Sequence, residues 1–287
     1  MLMKFLTPAM VLLAGMMASV HAGQVEMNRF FHCGDGRLHM VSEKNGHSFS
    51  GRFRIGPGHY NLHAYQQMSA VFGAPIEPQR QVLSLRLIEF LDYLEDRLAQ
   101  GALLTITSGY RAPEYNAKLR KGGALAAKAS LHQYGRAADF KLEGVPSKRV
   151  WEYVRGLKFG GTGYYHGETV HVDVGPARFW DEKSSGVGSG LSDDNKLIGM
   201  VTGYDIFSPG ERLALSFIRM TAFPIYVQRE FLLIDDQDSD QAGSGLPFEP
   251  DLKSSKTRDC LEFGNISQMA SLGWALPSQL VPGRYRI

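Results

Sequence analysis

Between Pro78 and Gly101, the apolar residues Leu83, Leu87, Phe90, Leu91, Leu94 and Leu98 recur every three or four positions. Arg86, Glu89, Asp92, Glu95 and Asp96 take the other side. That spacing predicts one amphipathic helix, opened by Pro78 and stopped by Gly101 as a C′ glycine. Leu103-Leu104-Thr105-Ile106-Thr107 then predicts a short strand running into a Ser108-Gly109-Tyr110-Arg111 turn, and Pro113 starts a short helix. From Arg136 to Leu142 the chain is extended, with Ala138 and Phe140 on one face and Asp139 on the other. Pro146 opens a helix that turns Val150, Trp151 and Val154 inward and ends at Gly156. Val170, Val172 and Val174 alternate with His171 and Asp173, which predicts a strand with one apolar and one polar face, closed by Gly175-Pro176.

Outside this stretch the patterns weaken. His47 to Ile55 alternates over its second half before Gly56-Pro57-Gly58 breaks it, so residues 23–76 form an N-terminal β-rich segment containing a hairpin. Lys118 to Lys128, rich in Gly, Ala and Lys, reads as a mobile surface loop. Residues 183–195 have the Ser, Gly and Asp content of a linker. Strands at 198–201, 213–220 and 225–233 make residues 196–287 a small β module. The acidic run 235–240 lacks the glycine and closing glutamate of a calcium loop and reads as a solvated loop. The strongly patterned part, residues 77–182, is the core.

The 287 residues are 44% hydrophobic and 21% charged, enough apolar material for a buried core. A net charge of +2 without a long Lys or Arg run excludes a nucleic-acid or polybasic membrane surface. Residues 1–22 read as an export signal: Lys4, an apolar run from Phe5 to Val20 broken by Pro8, then the small-residue site Val20-His21-Ala22. The mature chain would begin near Gly23, carry no transmembrane segment, and reside in the periplasm or cell envelope. Export permits the two cysteines, Cys33 and Cys260, to form a disulfide tying the chain ends together; two independent buried thiols are the alternative.

Singly, His132, Asp139 and His171 are ordinary residues. Together, His132 sits in a turn before one strand, and Asp139 and His171 point off the polar faces of two strands. If those strands are antiparallel neighbours, opposed side chains lie close enough to share an ion. Two imidazoles and one carboxylate form a catalytic Zn2+ set, one ion per chain, with a fourth position left for water. Amide hydrolysis needs a base, and Glu168, three residues before His171, takes that role. Asp173 then orients an imidazole N–H; the alternative exchanges these two carboxylates. Arg111 follows a glycine turn where a guanidinium can bind a substrate carboxylate or an oxyanion, and His166 can donate to the same oxyanion. Ser130, Tyr110, Tyr134, Tyr164 and Tyr165 are candidates to line the cleft.

These residues resemble the zinc D-alanyl-D-alanine carboxypeptidase family, which includes dipeptidases and murein endopeptidases, and are most similar to its exported murein-endopeptidase-like branch. Ser108-Gly109-Tyr110-Arg111-Ala112-Pro113-Glu114-Tyr115-Asn116 resembles that branch's SGYRxPxxN element. Ser130-Leu131-His132 through Asp139 resembles SxHxxGxAxD, and Gly163-Tyr164-Tyr165 with Val170 to Gly175 resembles GYY…VHxDxG. The resemblance implies an α+β fold, a small antiparallel sheet flanked by helices, with His132, Asp139 and His171 as zinc ligands. It also implies a hydrolase acting on peptidoglycan stem peptides. An endopeptidase cutting crosslinks comes first, a carboxypeptidase releasing a terminal D-residue second. A zinc-containing wall-binding module is the non-catalytic alternative.

Overall fold

The computed structural model describes residues 28–77, 81–122, 130–184, 198–219, 223–236, 245–251, 260–268 and 272–287. The proposed export signal, Pro78, residues 123–129 of the expected loop, most of the linker and most of the acidic run lie outside them. The helix expected to open at Pro78 begins only at Leu85, after a non-helical stretch at 81–84, and the loop expected from Lys118 starts later, because the preceding short helix continues to Lys121. β1 (Arg37–Ser42) and β2 (Ser48–Arg52) pair as an N-terminal hairpin whose first strand lies outside the alternating stretch 47–55, and that stretch is divided between β2 and the next strand. β3 (Arg54–Gly56) and β4 (His59–Tyr60) follow as a small ribbon, then α1 (Leu62–Phe72), whose Asn61 side chain accepts from the His63 and Ala64 N–H groups.

Next come α2 (Leu85–Ala99), β5 (Leu103–Ser108), α3 (Pro113–Lys121), β6 (Ala137–Leu142) and α4 (Ser147–Leu157). β7 (Gly161–Tyr164), β8 (Val170–Asp173) and β9 (Arg178–Asp181) complete the sheet, whose order is β2-β1-β5-β6-β8-β7-β9. The class is mixed α and β, as expected, but the sheet differs from a small antiparallel one. It has seven strands, and β1 joins β5 and β7 joins β9 in parallel. The N-terminal hairpin extends it because the apolar face of β1, with Leu38 and Met40 buried, needs the same cover as β5. α1 packs on β1 and β2, α2 on β1 and β6, and α4 on β7 and β8. Leu87, Phe90, Leu91 and Leu94 of α2 are fully buried with Leu104, Phe140, Val170 and Val172 of the sheet. Each such side chain contributes about 1.5–3 kcal/mol.

The polar side of α2 is the largest departure from the pattern. An amphipathic helix ordinarily gives that side to water, yet Arg86, Glu89, Asp92 and Glu95 are buried. Loop 28–36 and the ribbon reach Glu89 and Asp92, while Arg86 reaches Asp205. Glu89 pairs with Arg54 and accepts from the Tyr60 hydroxyl at 2.9 Å. Asp92 and Asp96 accept the N–H groups of Gly36 (2.9 Å) and Asp35 (2.7 Å). Gly34 lies so close to both carboxylates that any Cβ there would strike them. Burial pushes the Asp92 carboxyl up to about 8 and that of Glu95 up to about 7. Periodicity marks these positions as polar but cannot say what folds over them.

The described C-terminal residues include three small sheets. β10 (Ile198–Thr202) and β11 (Arg212–Arg219) pair with each other, as do β12 (Ile225–Gln228) and β15 (Cys260–Phe263). β13 (Phe231–Asp235) lies between β14 (Leu246–Phe248) and β17 (Tyr285–Arg286), and β16 (Leu272–Ala275) adds to β11. The single strand expected at 225–233 is thus two. This unit is held against the core: Arg86 pairs with Asp205 and donates to the Thr202 carbonyl at 3.1 Å, and Arg29 pairs with Glu211.

The Cys33–Cys260 disulfide does not form: both thiols are free. Cys33 packs at the edge of the main core, where burial raises its pKa, whereas Cys260 is exposed on β15 of the C-terminal unit. Among the described residues no helix is long and apolar enough to cross a membrane.

Candidate metal centre

β6 and β8 are antiparallel neighbours, and their register sets Asp139 directly opposite His171. His132 reaches the same point from a 3-10 turn, Leu131–Tyr134, that precedes β6. Gly135 ends that turn with φ +61°, and a Cβ there would collide with the Val82 carbonyl oxygen, so only glycine fits. The His132 carbonyl accepts from the Arg111 N–H at 3.1 Å, which ties the ligand turn to the Ser108–Arg111 turn. That second turn rests on the end of α1: Tyr110 N–H donates to the Phe72 carbonyl at 2.8 Å, and any Cβ on Gly109 would strike the Phe72 backbone.

One donor atom from each of His132, Asp139 and His171 lies within 4.8 Å of the others, and all three residues are buried. His171 Nδ1 is 2.8 Å from Asp139 Oδ1, and His132 Nε2 is 3.4 Å from the same oxygen and 3.3 Å from His171 Nδ1. The far side of each ring is occupied. His132 Nδ1 is 2.7 Å from the Gly109 carbonyl oxygen, which can only accept, so Nδ1 carries the proton and Nε2 a lone pair. His171 Nε2 is 3.0 Å from Asp173 Oδ2, which leaves the lone pair on Nδ1. Two lone pairs and a carboxylate oxygen facing each other repel unless a cation or a proton lies among them. The donor set therefore fits a divalent metal of the kind that takes nitrogen and oxygen ligands.

Electrostatics follow from the same contacts. Burial lowers the pKa of His132, against the pull of Asp139. Burial also disfavours charge on His171, but hydrogen bonds to Asp139 and Asp173 outweigh it and raise its pKa. Burial alone would raise the pKa of Asp139, yet the two histidines hold it well below the usual carboxylate range. Arg111 Nη2 donates to Asp139 Oδ2 at 2.7 Å and Nε to Ser108 Oγ at 3.0 Å, so this guanidinium fixes the carboxylate from behind. Asp173 is fully buried and its two oxygens accept five hydrogen bonds: from His171, from both Arg178 nitrogens (2.9 and 2.6 Å), and from the N–H groups of Gly161 (3.1 Å) and Gly175 (2.9 Å). Against the penalty of burial, these partners bring its carboxyl down to about 2.

The other sequence candidates are distributed unequally. Ser130 is buried at the head of the ligand turn, and Tyr110 packs at the margin of the main core. Tyr134 turns away and packs against the Phe217, Ile225, Leu261 and Phe263 cluster of the C-terminal unit. The Tyr164 ring packs at a tilt against those of Trp151 (5.6 Å) and His166 (4.3 Å). His166 adopts a left-handed backbone, φ +59°, and its Nε2 is 2.8 Å from Asp181 Oδ1. The Glu168 side chain is 81% exposed and pairs with Lys141 at 3.1 Å. Neither His166 nor Glu168 hydrogen-bonds a residue of the His/Asp/His group.

Sequence reasoning missed the Gly109 carbonyl, the double contact of Arg178 with Asp173, and Trp180, whose ring lies 4.8 Å from that of His171 and fills the space a Cβ on Gly163 would take. None has a spacing signal: Arg178 and Trp180 lie on β9, which reaches the site only by pairing with β7, and the Gly109 carbonyl is a backbone atom of the turn after β5. Tyr165, named only as an aromatic, places its hydroxyl 3.4 Å from Asp139 Oδ1.

Among the described residues, the fold and the centre together define a mixed α and β protein with a His/Asp/His metal-type site. A profile of the family described as peptidoglycan L,D-endopeptidase MepK matches residues 34–180, slightly more than half of the chain. The chain belongs to this family. It is 36% identical over 95 residues to the peptidoglycan L,D-endopeptidase MepK of Escherichia coli strain K12, covering 33% of this chain and 52% of that protein. It is 39% identical over 82 residues to the probable peptidoglycan L,D-endopeptidase MepK of Haemophilus influenzae, covering 28% and 44%. The chain thus spans about half the length of the curated relatives it matches. No solved structure gives a significant match.

Proposed function

We propose that this chain is an exported zinc peptidase of the periplasm or cell envelope that hydrolyses L,D peptide crosslinks in peptidoglycan. The observation that carries the reading is the convergence of His132 Nε2, Asp139 Oδ1 and His171 Nδ1 on one point, with the opposite nitrogen of each ring held by Gly109 or Asp173. The bond class comes from the relatives' names, which speak for the endopeptidase and lend the carboxypeptidase alternative nothing.

His132, Asp139 and His171 would hold the zinc, which supplies Lewis acidity that polarises a peptide carbonyl and acidifies water. Arg111 keeps the Asp139 carboxylate aimed at the site, and Asp173 keeps the His171 proton on Nε2. Glu168 Oε2 is the proposed base, taking a proton from water and returning it to the leaving amine. Its exposed carboxylate is free to swing from Lys141 toward bound substrate, because no buried contact holds it. His166, whose ring is already oriented by Asp181, is the second candidate for that proton.

The test is digestion of purified peptidoglycan by the zinc-loaded full-length chain, with product masses read out. Separation of L,D-crosslinked dimers is expected; loss of one terminal residue from monomers would mean a carboxypeptidase, and zinc held without any product a binding module. Glu168→Gln should retain zinc and lower turnover by about 10²–10⁴-fold. Unchanged turnover would transfer the base role to His166.

A further inference from the structure

Leu131 and Tyr134, which flank the ligand turn on either side of His132, are both covered by the C-terminal β unit. Leu131, Ala137 and Ile218 form one buried cluster, with Tyr134 and Val201 packed against it. Ile218 is fully buried on β11, and Val201 comes from β10. Leu131 also presses on Gly175, where a Cβ would come within 2.5 Å of its Cδ1. Gly175 donates its N–H to Asp173, which orients His171. Beside it, Gly199 of β10 approaches Pro176, so a Cβ there would lie 3.1 Å from the proline ring. One apolar wedge thus touches the turn that supplies His132 and the Gly175-Pro176 segment that follows the strand supplying His171.

We propose that the C-terminal β unit is a positioning element for the metal centre, and that Ile218 is the residue through which it acts, by holding Leu131 and with it the His132 turn. Gln133 N–H donates to the Ser130 carbonyl at 3.1 Å, and the turn's carbonyls accept Gly135 N–H and Arg136 N–H at 3.2 Å each and Arg111 N–H at 3.1 Å. A single 3-10 turn of this length has little intrinsic stability, so the burial of Leu131 against Ile218 adds to what holds it. Ile218 lies beyond residue 180, where the family match ends. Truncating Ile218 leaves a gap under Leu131, and a ligand shift of a fraction of an ångström loosens a coordination site.

The inference rests on the zinc reading for two of its three readouts; hydrogen exchange in the metal-free chain does not depend on it. In the metal-free full-length chain, hydrogen exchange at the Gly135 and Arg136 amides should rise about tenfold in Ile218→Ala, while the β5–β6 ladder stays protected. Zinc affinity, by chelator competition, should fall about 10–100-fold, and the visible spectrum of the cobalt-substituted chain should change. Ile218→Val should restore all three readouts. Leu233→Ala, in the separate Leu213–Leu215–Phe248–Leu276 cluster, removes as much apolar volume from the same unit and should leave all three unchanged. Exchange and affinity equal to the parent chain in Ile218→Ala, or equal losses in Leu233→Ala, would overturn the proposal. Should Ile218→Ala not fold, Val201→Ala carries the same comparison. A parent chain that binds no zinc would sink the proposed function and leave the exchange result to decide this inference.

Discussion

Replacing Asp173 by asparagine removes one charge from the centre without changing its shape, and the hydrogen bonds determine the outcome. Oδ1 accepts from Gly161, Gly175 and Arg178 Nη1, and Oδ2 from His171 and Arg178 Nη2. An asparagine must turn its NH₂ toward one of these sets. Facing the Oδ1 side opposes three donors; facing the Oδ2 side opposes two, so the amide nitrogen settles against His171. His171 Nε2 must then accept, its proton moves to Nδ1, and the nitrogen nearest Asp139 loses its lone pair. Loss of such an orienting partner costs about 10–100-fold in metal affinity, or about 1.4–2.7 kcal/mol. Stability should fall as well, by about 1–3 kcal/mol: less than the full cost of breaking a buried pair, because Arg178 is 31% exposed and water takes up part of its charge. Chelator competition on Asp173→Asn, with urea unfolding in parallel, measures both. Zinc affinity within twofold of the parent chain would refute the claim that Asp173 sets the tautomer.

Two further substitutions test the scaffold. Asp92 has its pKa raised by burial to about 8, so between about pH 4 and 8 the folded chain keeps a proton that the unfolded chain has released. Its contribution is therefore full at low pH and is lost as pH rises through 8, by at most about 5 kcal/mol. Asp92→Asn can still accept from Gly36 and should flatten that fall; urea midpoints at pH 5, 6.5 and 8 with the same slope in both chains would count against it. Gly135→Ala forces a left-handed alanine onto the Val82 carbonyl and should destabilise by about 2–3 kcal/mol. A thermal midpoint unchanged from the parent chain would show that the turn is not so constrained.

What was legible in the sequence was local. Alternation of Val170 and Val172 with His171 and Asp173 located a strand with a polar face, and the three-and-four spacing from Leu83 to Leu98 located the inner side of α2, because both periods follow from backbone geometry alone. Glycine positions such as Gly135 likewise express a local φ requirement. The donor set, His132, Asp139 and His171, was legible for the same reason: each lies at a turn or on the polar face of a strand, and residue chemistry selects it. The tertiary structure decided which surfaces meet. It covered the acidic side of α2 with loop 28–36, kept Cys33 apart from Cys260, brought Arg178 to Asp173 through β9, and laid Ile218 over Leu131. These contacts join residues far apart in the chain. No periodicity encodes them, because partner choice depends on how whole faces close over one another, and a residue's pattern reports only the face on which it lies.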